Sequence, residues 1–282
     1  MSGNDQGAAG SRLPLEAGGQ GAADSGLPLE ASGRFAAGVF PSAPWKVPLL
    51  ELVGLHGVRR WLVLAPHPDD FDVVAVTLRR LVEQGAELWL EVLTSGASGV
   101  EDVFAATWEE KTVAREAEQL AGCRLFGMEQ GRIRFHRLAE DPDGHMLDDL
   151  ENGRRVRGIL DRVAPDGVFL PHGNDSNADH RRTWRIFDQW ARGWNKPVVA
   201  LQVRDPKTLG MRLDLVTPFG EEEAAWKAAM LRCHASQQER NIRSRGYGLD
   251  ERILRVNREI AREAGLAEEF AEGFEIARFG CK

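Results

Sequence analysis

The chain has 282 residues, 43% hydrophobic and 28% charged, with 43 Asp and Glu against 36 Lys and Arg for a formal net charge of −7. That length allows one large domain or two small ones. The acidic balance argues against a nucleic-acid surface, which needs a basic face, and gives no steering toward phosphate-rich substrates. Three scattered cysteines, Cys123, Cys233 and Cys281, form no CxxC pair and suit a reducing compartment better than a disulfide framework. No apolar run reaches transmembrane length, and no basic-then-apolar leader opens the chain. The expectation is a soluble, cytoplasmic protein without membrane insertion.

Residues 1–38 are rich in Gly, Ala and Ser and carry Leu-Pro-Leu-Glu-Ala twice, at 13–17 and 27–31. Two copies make no solenoid, and too little apolar surface is present to offset ordering entropy, so this stretch is expected to be a disordered tail. Residues 39–282 are expected to form a single domain. From Trp61 onward, strands and helices alternate. Strand Trp61–Ala65 leads through the loop 66–72 to a helix over Val73–Gln84. Strand Glu87–Leu93 is followed by a Gly/Ser loop at 94–100, a helix from Trp108 to Leu120 and a strand at Arg124–Gly127. After the Asp/Gly-rich turn at 141–145 come helix Leu147–Val163, strand Gly167–Leu170, the polar loop Pro171–Asp179, helix His180–Trp190 and strand Val198–Val203. After 205 the remainder reads as mostly helical, over about Glu221–Gln238 and Leu249–Glu263. This order predicts an α/β fold: a Rossmann-like, mostly parallel sheet with helices on both faces and a C-terminal helical portion.

Two loops carry the chemistry. The first, His67-Pro68-Asp69-Asp70, directly follows an apolar strand; an imidazole and two adjacent carboxylates are costly there without a partner. The second, Pro171 to His180, also follows an apolar strand and contains His172, Asn174, Asp175, Asn177, Asp179 and His180. Ligands of such sheets bind beyond the carboxyl ends of the strands, so both loops fall at one edge. His67 and Asp70, three apart around a turn, can face one ion, with His180 as third ligand and Asp69 beside it. A metal with three protein ligands keeps a position for water, whose proton Asp69 is placed to take as general base. The bland alternative makes the acids turn formers and helix caps; it weighs evenly for Asp72 and Asp179 and little for the first motif, since capping needs neither the His nor a doubled carboxylate.

The pairing of His67-Pro68-Asp69-Asp70 with Asp175-Ser176-Asn177-Ala178-Asp179-His180 resembles the PIG-L/LmbE family of metal-dependent N-deacetylases. Thr94-Ser95-Gly96, Arg115 with Glu118, His234-Ala235-Ser236-Gln237 and Ala271-Glu272-Gly273-Phe274 are similar to further elements of that family, so the likeness spans about 60–280. It implies a Rossmann-like fold and a zinc-dependent hydrolase that removes acetyl from an N-acetylglucosamine-type sugar conjugate. It makes His67, Asp70 and His180 the zinc ligands and Asp69 the base; another divalent metal such as Fe²⁺ would suit the same donors. The chain departs from the pattern twice: Phe71 stands where the family usually has Glu, and Asn177 where it often has a His. Asn177 can donate a hydrogen bond but cannot shuttle a proton. Protonated Asp69 is therefore expected to serve as general acid, with His172 or His234 as candidate helpers. Arg115, Asn177, His234 and Ser95 are candidate substrate contacts, although a solvated helix face is the commoner fate of an Arg like Arg115. Trp108 is a candidate to stack on a sugar ring. His56, His136 and His145 have no partners at ligand spacing and read as structural or surface.

Competing readings are a different metal-dependent amidohydrolase, a non-catalytic carbohydrate-binding relative, a non-haem iron oxygenase and a nucleotide-binding oxidoreductase. The iron facial triad favours His-x-Asp on an all-β fold, whereas this spacing is His-x-x-Asp in an alternating chain. The dinucleotide fingerprint needs glycines after the first strand, and 66–72 contains none. The expected partner is a small-molecule sugar conjugate, not nucleic acid; a homo-oligomer is compatible with the sequence, which specifies no state.

Overall fold

The computed structural model describes residues 58–280. The expected tail over 1–38, its repeated pentapeptide and His56 lie outside the described residues. Strand β1 (Arg60–Ala65) sends Trp61, Val63 and Ala65 to one core and Leu62 and Leu64 to the other. Both faces of this strand are therefore covered, as expected for a central parallel strand.

Around β1 the chain lays down β2 (Glu87–Val92), β3 (Ile133–Phe135), β4 (Gly167–Pro171), β5 (Val198–Val203), β6 (Leu215–Phe219) and β7 (Phe270–Phe279) in one sheet of order β3-β2-β1-β4-β5-β7-β6. Strands β1 to β5 run parallel to one another, whereas β7 runs antiparallel to both β5 and β6. Helices α1 (Ala75–Glu83), α2 (Trp108–Phe126), α3 (Leu150–Val163), α4 (Ala178–Gly193), α5 (Glu221–Arg232), α6 (Ala235–Arg245) and α7 (Leu249–Glu263) complete the fold. Residues of α1, α2, α5 and α7 join the core of Trp61 and Val63; residues of α3 and α4 join that of Leu62 and Leu64. The architecture is thus the predicted α/β class, a mixed and mostly parallel sheet with helices on both faces.

Four elements differ from the sequence reading. Arg124–Gly127 is no strand: α2 continues to Phe126, whose ring packs on Phe71 and Trp226, and stops at Gly127, whose φ of +88° ends the helix. The strand of that region is β3, three residues on the sheet margin. The C-terminal part is not all helix, because β6 and β7 close the sheet. The helix expected over Glu221–Gln238 is two, broken at Cys233–His234. On β6, Pro218 has no N–H to give and sits on the outer strand, where that loss is tolerated; its carbonyl accepts from Arg80 Nη2 at 2.7 Å. No helix among the described residues is long and apolar enough to cross a membrane.

Candidate active site

The strand order reverses between β1 and β4, and that is where the two polar loops leave the sheet. Helices leave a crevice at such a switch point, which is where open α/β sheets bind ligands. A cleft of about 390 Å³ lies there, lined among others by His67, Asp69, Asp70, His145, Asn177, Asp179 and Asp205.

The first loop is tied down locally. The Pro66 carbonyl accepts from both the N–H and the hydroxyl of Thr94, at 3.0 and 2.7 Å, and the His67 N–H donates to Asp70 Oδ2 at 2.8 Å. Asp69 stands at φ +104°, a conformation non-glycine residues rarely adopt and one that costs of order 1–3 kcal/mol. Three contacts hold it: its N–H donates to Gln119 Oε1 at 2.9 Å, its carbonyl accepts from Asp72 N–H at 3.0 Å, and its Oδ2 lies 3.1 Å from Arg115 Nη2. Arg115 is 2% exposed, also donates to the Pro68 carbonyl and lies 3.5 Å from Glu118. The solvated helix face weighed for Arg115 is therefore corrected: burial forces the guanidinium to find partners, and it finds the motif itself. Gly96 makes this approach feasible, since a Cβ there would sit 3.0 Å from Pro68 Cδ and 3.2 Å from Arg115 Nε.

Each histidine is anchored at one nitrogen and leaves the other toward Asp70. His67 Nε2 lies 3.0 Å from Asp179 Oδ2, and its Nδ1 lies 3.5 Å from Asp70 Oδ2. His180 Nδ1 lies 3.0 Å from Asp175 Oδ2, and its Nε2 lies 3.7 Å from Asp70 Oδ1. Buried His180 Nε2 has no hydrogen-bond partner. The ligand atoms of His67, Asp70 and His180 all fall within 4.8 Å of one another. A tetrahedral ion with bonds of about 2.0–2.1 Å separates its donors by about 3.4 Å. A carboxylate behind each imidazole fixes its tautomer and raises its basicity, as in carboxylate–histidine–metal triads. An orphaned nitrogen facing a carboxylate, with both rings anchored from behind, fits a divalent cation.

Charge says the same. Burial pulls the His67 pKa down, but the hydrogen bonds to Asp179 and Asp70 outweigh it and raise the value to about 9. Burial pushes Asp70 up, and His67 and His180 hold it below the ordinary carboxylate range. In the metal-free protein the stability His67 gains from its partners is therefore full below about pH 6.5 and is lost as pH rises through 9. A metal needs the neutral imidazole and must displace that proton. Zinc uptake at about pH 7.5 should release about one proton, so the calorimetric enthalpy will vary with the ionisation enthalpy of the buffer. A buffer-independent enthalpy would contradict this.

The other sequence candidates fall in different places. Asn177 lines the cleft and caps α4, its Oδ1 accepting from Asp179 N–H at 2.8 Å, so what remains to offer is its NH₂. This corrects the capping alternative for Asp179: Asn177 is the cap, while Asp179 accepts from Met146 N–H at 2.9 Å and anchors His67. Asp72 makes no side-chain cap either. It is fully buried, with Oδ2 accepting from Gln119 Nε2 at 3.0 Å and lying 2.9 Å from His234 Nε2. His234 is thus buried against Asp72, outside the cleft lining. His172 also lies outside it, with Nδ1 accepting from Asn174 N–H and Nε2 3.4 Å from Glu275. Ser95 donates to Glu140 Oε2 at 2.7 Å and, with the half-exposed Trp108, lines a separate groove. Phe71 is buried edge-to-face against Phe126. His145, read as structural or surface, lines the cleft with Nδ1 3.6 Å from Asp179 Oδ2. Asp205 and Lys207 were not singled out, although they follow a parallel strand, β5, at the same edge; Asp205 Oδ2 lies 3.7 Å from His180 Nδ1.

Fold and donor set together define a Rossmann-like α/β protein with a candidate metal centre at its switch point. Residues 62–191 match the PIG-L family, described as GlcNAc-PI de-N-acetylase. That stretch holds both motif loops and carries the likeness to the PIG-L family that they imply. Among curated proteins none matches by sequence. Solved structures do. N,N'-diacetylchitobiose deacetylase from Pyrococcus horikoshii aligns with a TM-score of 0.65 at 20% identity, covering 79% of this chain and 85% of that one. The 4-carboxy-2-hydroxymuconate hydratase GalB from Pseudomonas putida aligns at 0.60 and 20%, covering 78% and 96%. A deacetylase of the teicoplanin biosynthetic pathway aligns at 0.59 and 17%, covering 79% and 100%. At these identities the likeness is one of fold, and that fold carries more than one chemistry.

Proposed function

We propose that this chain is a metal-dependent N-deacetylase that hydrolyses the acetamide of an N-acetylglucosamine-type sugar conjugate. One observation carries the reading: two histidines, each tied from behind to a buried carboxylate, turn their remaining nitrogens to Asp70, with Asp69 next to it in the same turn. The PIG-L match and the deacetylases among the structural neighbours support it.

In this reading His67, Asp70 and His180 hold the ion, zinc by family likeness. A bound divalent cation supplies Lewis acidity and brings the pKa of water toward neutrality. Asp69 takes the proton of the attacking water as a C–O bond forms at the acetyl carbon. Arg115, 3.1 Å from Oδ2, keeps that carboxylate oriented. As the C–N bond breaks, the proton on Asp69 passes to the departing amine, leaving acetate and a free amino sugar. The Asn177 NH₂ is a donor within the cleft for a substrate oxygen. The test is a panel of N-acetylglucosamine conjugates with the zinc-loaded protein, scored for free amine and acetate together. Equal amounts of both are expected; no amine from any conjugate, with no metal bound by the intact chain, would defeat the proposal.

A further inference from the structure

Away from the cleft, four arginines of α5–α7 are neutralised: Arg232 by Asp250 at 2.7 Å, Arg243 by Glu239 and Glu101 at 2.5 and 2.6 Å, Arg255 by Glu251 at 2.5 Å and Arg258 by Glu269 at 2.7 Å; Arg262, in the last turn of α7, is exposed to water without an ion pair among the described residues. Arg240, Arg245 and Arg252 line the cleft, joined across it by Lys207. Among the described residues, none of these four lies within ion-pair distance of a carboxylate. Arg240 reaches the Gly99 carbonyl at 3.4 Å, and Arg245 donates to Ser244 Oγ at 2.8 Å.

The acids of the cleft are committed elsewhere. Asp69 pairs with Arg115, Asp70 and Asp179 face His67, and Asp205 faces His180 and accepts from the Lys207 and Thr208 N–H groups. Half-buried Arg252 shows the crowding: burial and the charge of Arg245 lower its pKa, with Asp205 and Asp69 only partly compensating. Arg240 and Arg245 are exposed and hydrated, but Arg252 and Lys207 are partly buried in the same cleft, and like charges half-removed from water without a counter-charge are costly unless an anion meets them.

We infer that the part of the cleft lined by Arg252 of α7 and Lys207 of the loop after β5 is an oxyanion subsite, and that the conjugate this chain takes carries a phosphate or carboxylate group. The mention of a sugar conjugate rests on the deacetylase reading; the anion subsite does not. It revises the expectation drawn from composition: the overall charge is acidic, but the wall facing substrate is basic.

The zinc-loaded full chain is assayed with N-acetylglucosamine, its 1- and 6-phosphates and N-acetylmuramic acid. At least one anionic substrate is expected to exceed the neutral sugar in kcat/KM by about tenfold, an advantage that salt near 0.3 M shrinks. The ratio of anionic to neutral kcat/KM should fall about tenfold in Arg252→Ala, and less in Arg252→Lys, while Arg243→Ala leaves it unchanged. Which substrate responds separates phosphate from carboxylate. Equal rates on neutral and anionic sugars, indifferent to Arg252→Ala, would overturn the subsite while leaving the deacetylase reading intact. If no sugar is deacetylated, calorimetry with glucose 6-phosphate against glucose on the metal-free protein still decides. Phosphate-dependent binding lost in Arg252→Ala/Lys207→Ala supports the subsite, and no binding overturns it.

Discussion

Asp69→Asn is expected to lower kcat/KM by about 10²–10⁴-fold, the usual worth of a positioned general base, with metal content and fold retained. Asn is among the few residues that tolerate positive φ, so the substitution respects the backbone of +104° at this position. The backbone N–H bond to Gln119 and the carbonyl bond from Asp72 do not involve the side chain and survive. What goes is the proton acceptor and its pairing with Arg115 at 3.1 Å. The measurement is steady-state deacetylation beside zinc content and thermal unfolding of the same preparation. Activity within a few-fold of wild type would remove Asp69 from the mechanism.

The second large effect is on stability. Lys227 and Glu272 are both buried, with Nζ 2.6 Å from Oε1. Nζ also donates to the Val73 carbonyl at 2.5 Å, while the carboxylate accepts from Val76 N–H, Thr77 N–H and Thr77 hydroxyl. Lys227→Met leaves a buried carboxylate without its cation, which costs about 3–5 kcal/mol. Adding Glu272→Gln keeps an oxygen acceptor, removes the stranded charge and should restore a large part of that loss. Denaturant unfolding of the two variants measures this, and a loss under about 1 kcal/mol for Lys227→Met would refute it. The pair matters to the site because it ties α5 and β7 to Val73, which itself lines the cleft three residues after Asp70.

How much of this was legible depends on how local each signal is. β1, β2, β4 and β5 announce themselves as apolar runs, and the two polar loops stand out because their residues are misplaced for a strand end. β7 did not, since its Glu272, Gly273 and Glu275 dilute the apolar pattern and Glu272 is accommodated by distant partners, Lys227, 45 positions away in sequence, and Val76 and Thr77, 196 and 195 away. Strand Arg124–Gly127 was an error of the same kind, because Phe126 is apolar for a tertiary reason, its contact with Phe71. Within the site, His67, Asp70 and His180 were legible as a set of metal-type side chains. The groups that anchor them were half legible: Asp175 and Asp179 lay in the quoted loop, yet capping explained Asp179 equally well. Asp72 shows the limit most clearly. Phe71 takes the core position beside the motif, and the carboxylate one residue on is drawn inward to Gln119 and His234, a contact spanning 162 positions for His234. The convergence of Arg252 and Lys207 on one cleft was invisible, because composition averages a segregated charge away.

The margins of the sheet bear on how copies of this molecule meet. On one side β3 offers only three residues; on the other β6 carries Pro218, with no N–H to donate and a carbonyl already taken by Arg80. A ladder needs a run of free donors and acceptors, and neither margin among the described residues supplies one. Self-association by adding strands across the two sheets is therefore disfavoured at both ends. Among the described residues, the faces left for one copy to meet another are the helical ones, away from the edges that so often make β-containing proteins stick to one another.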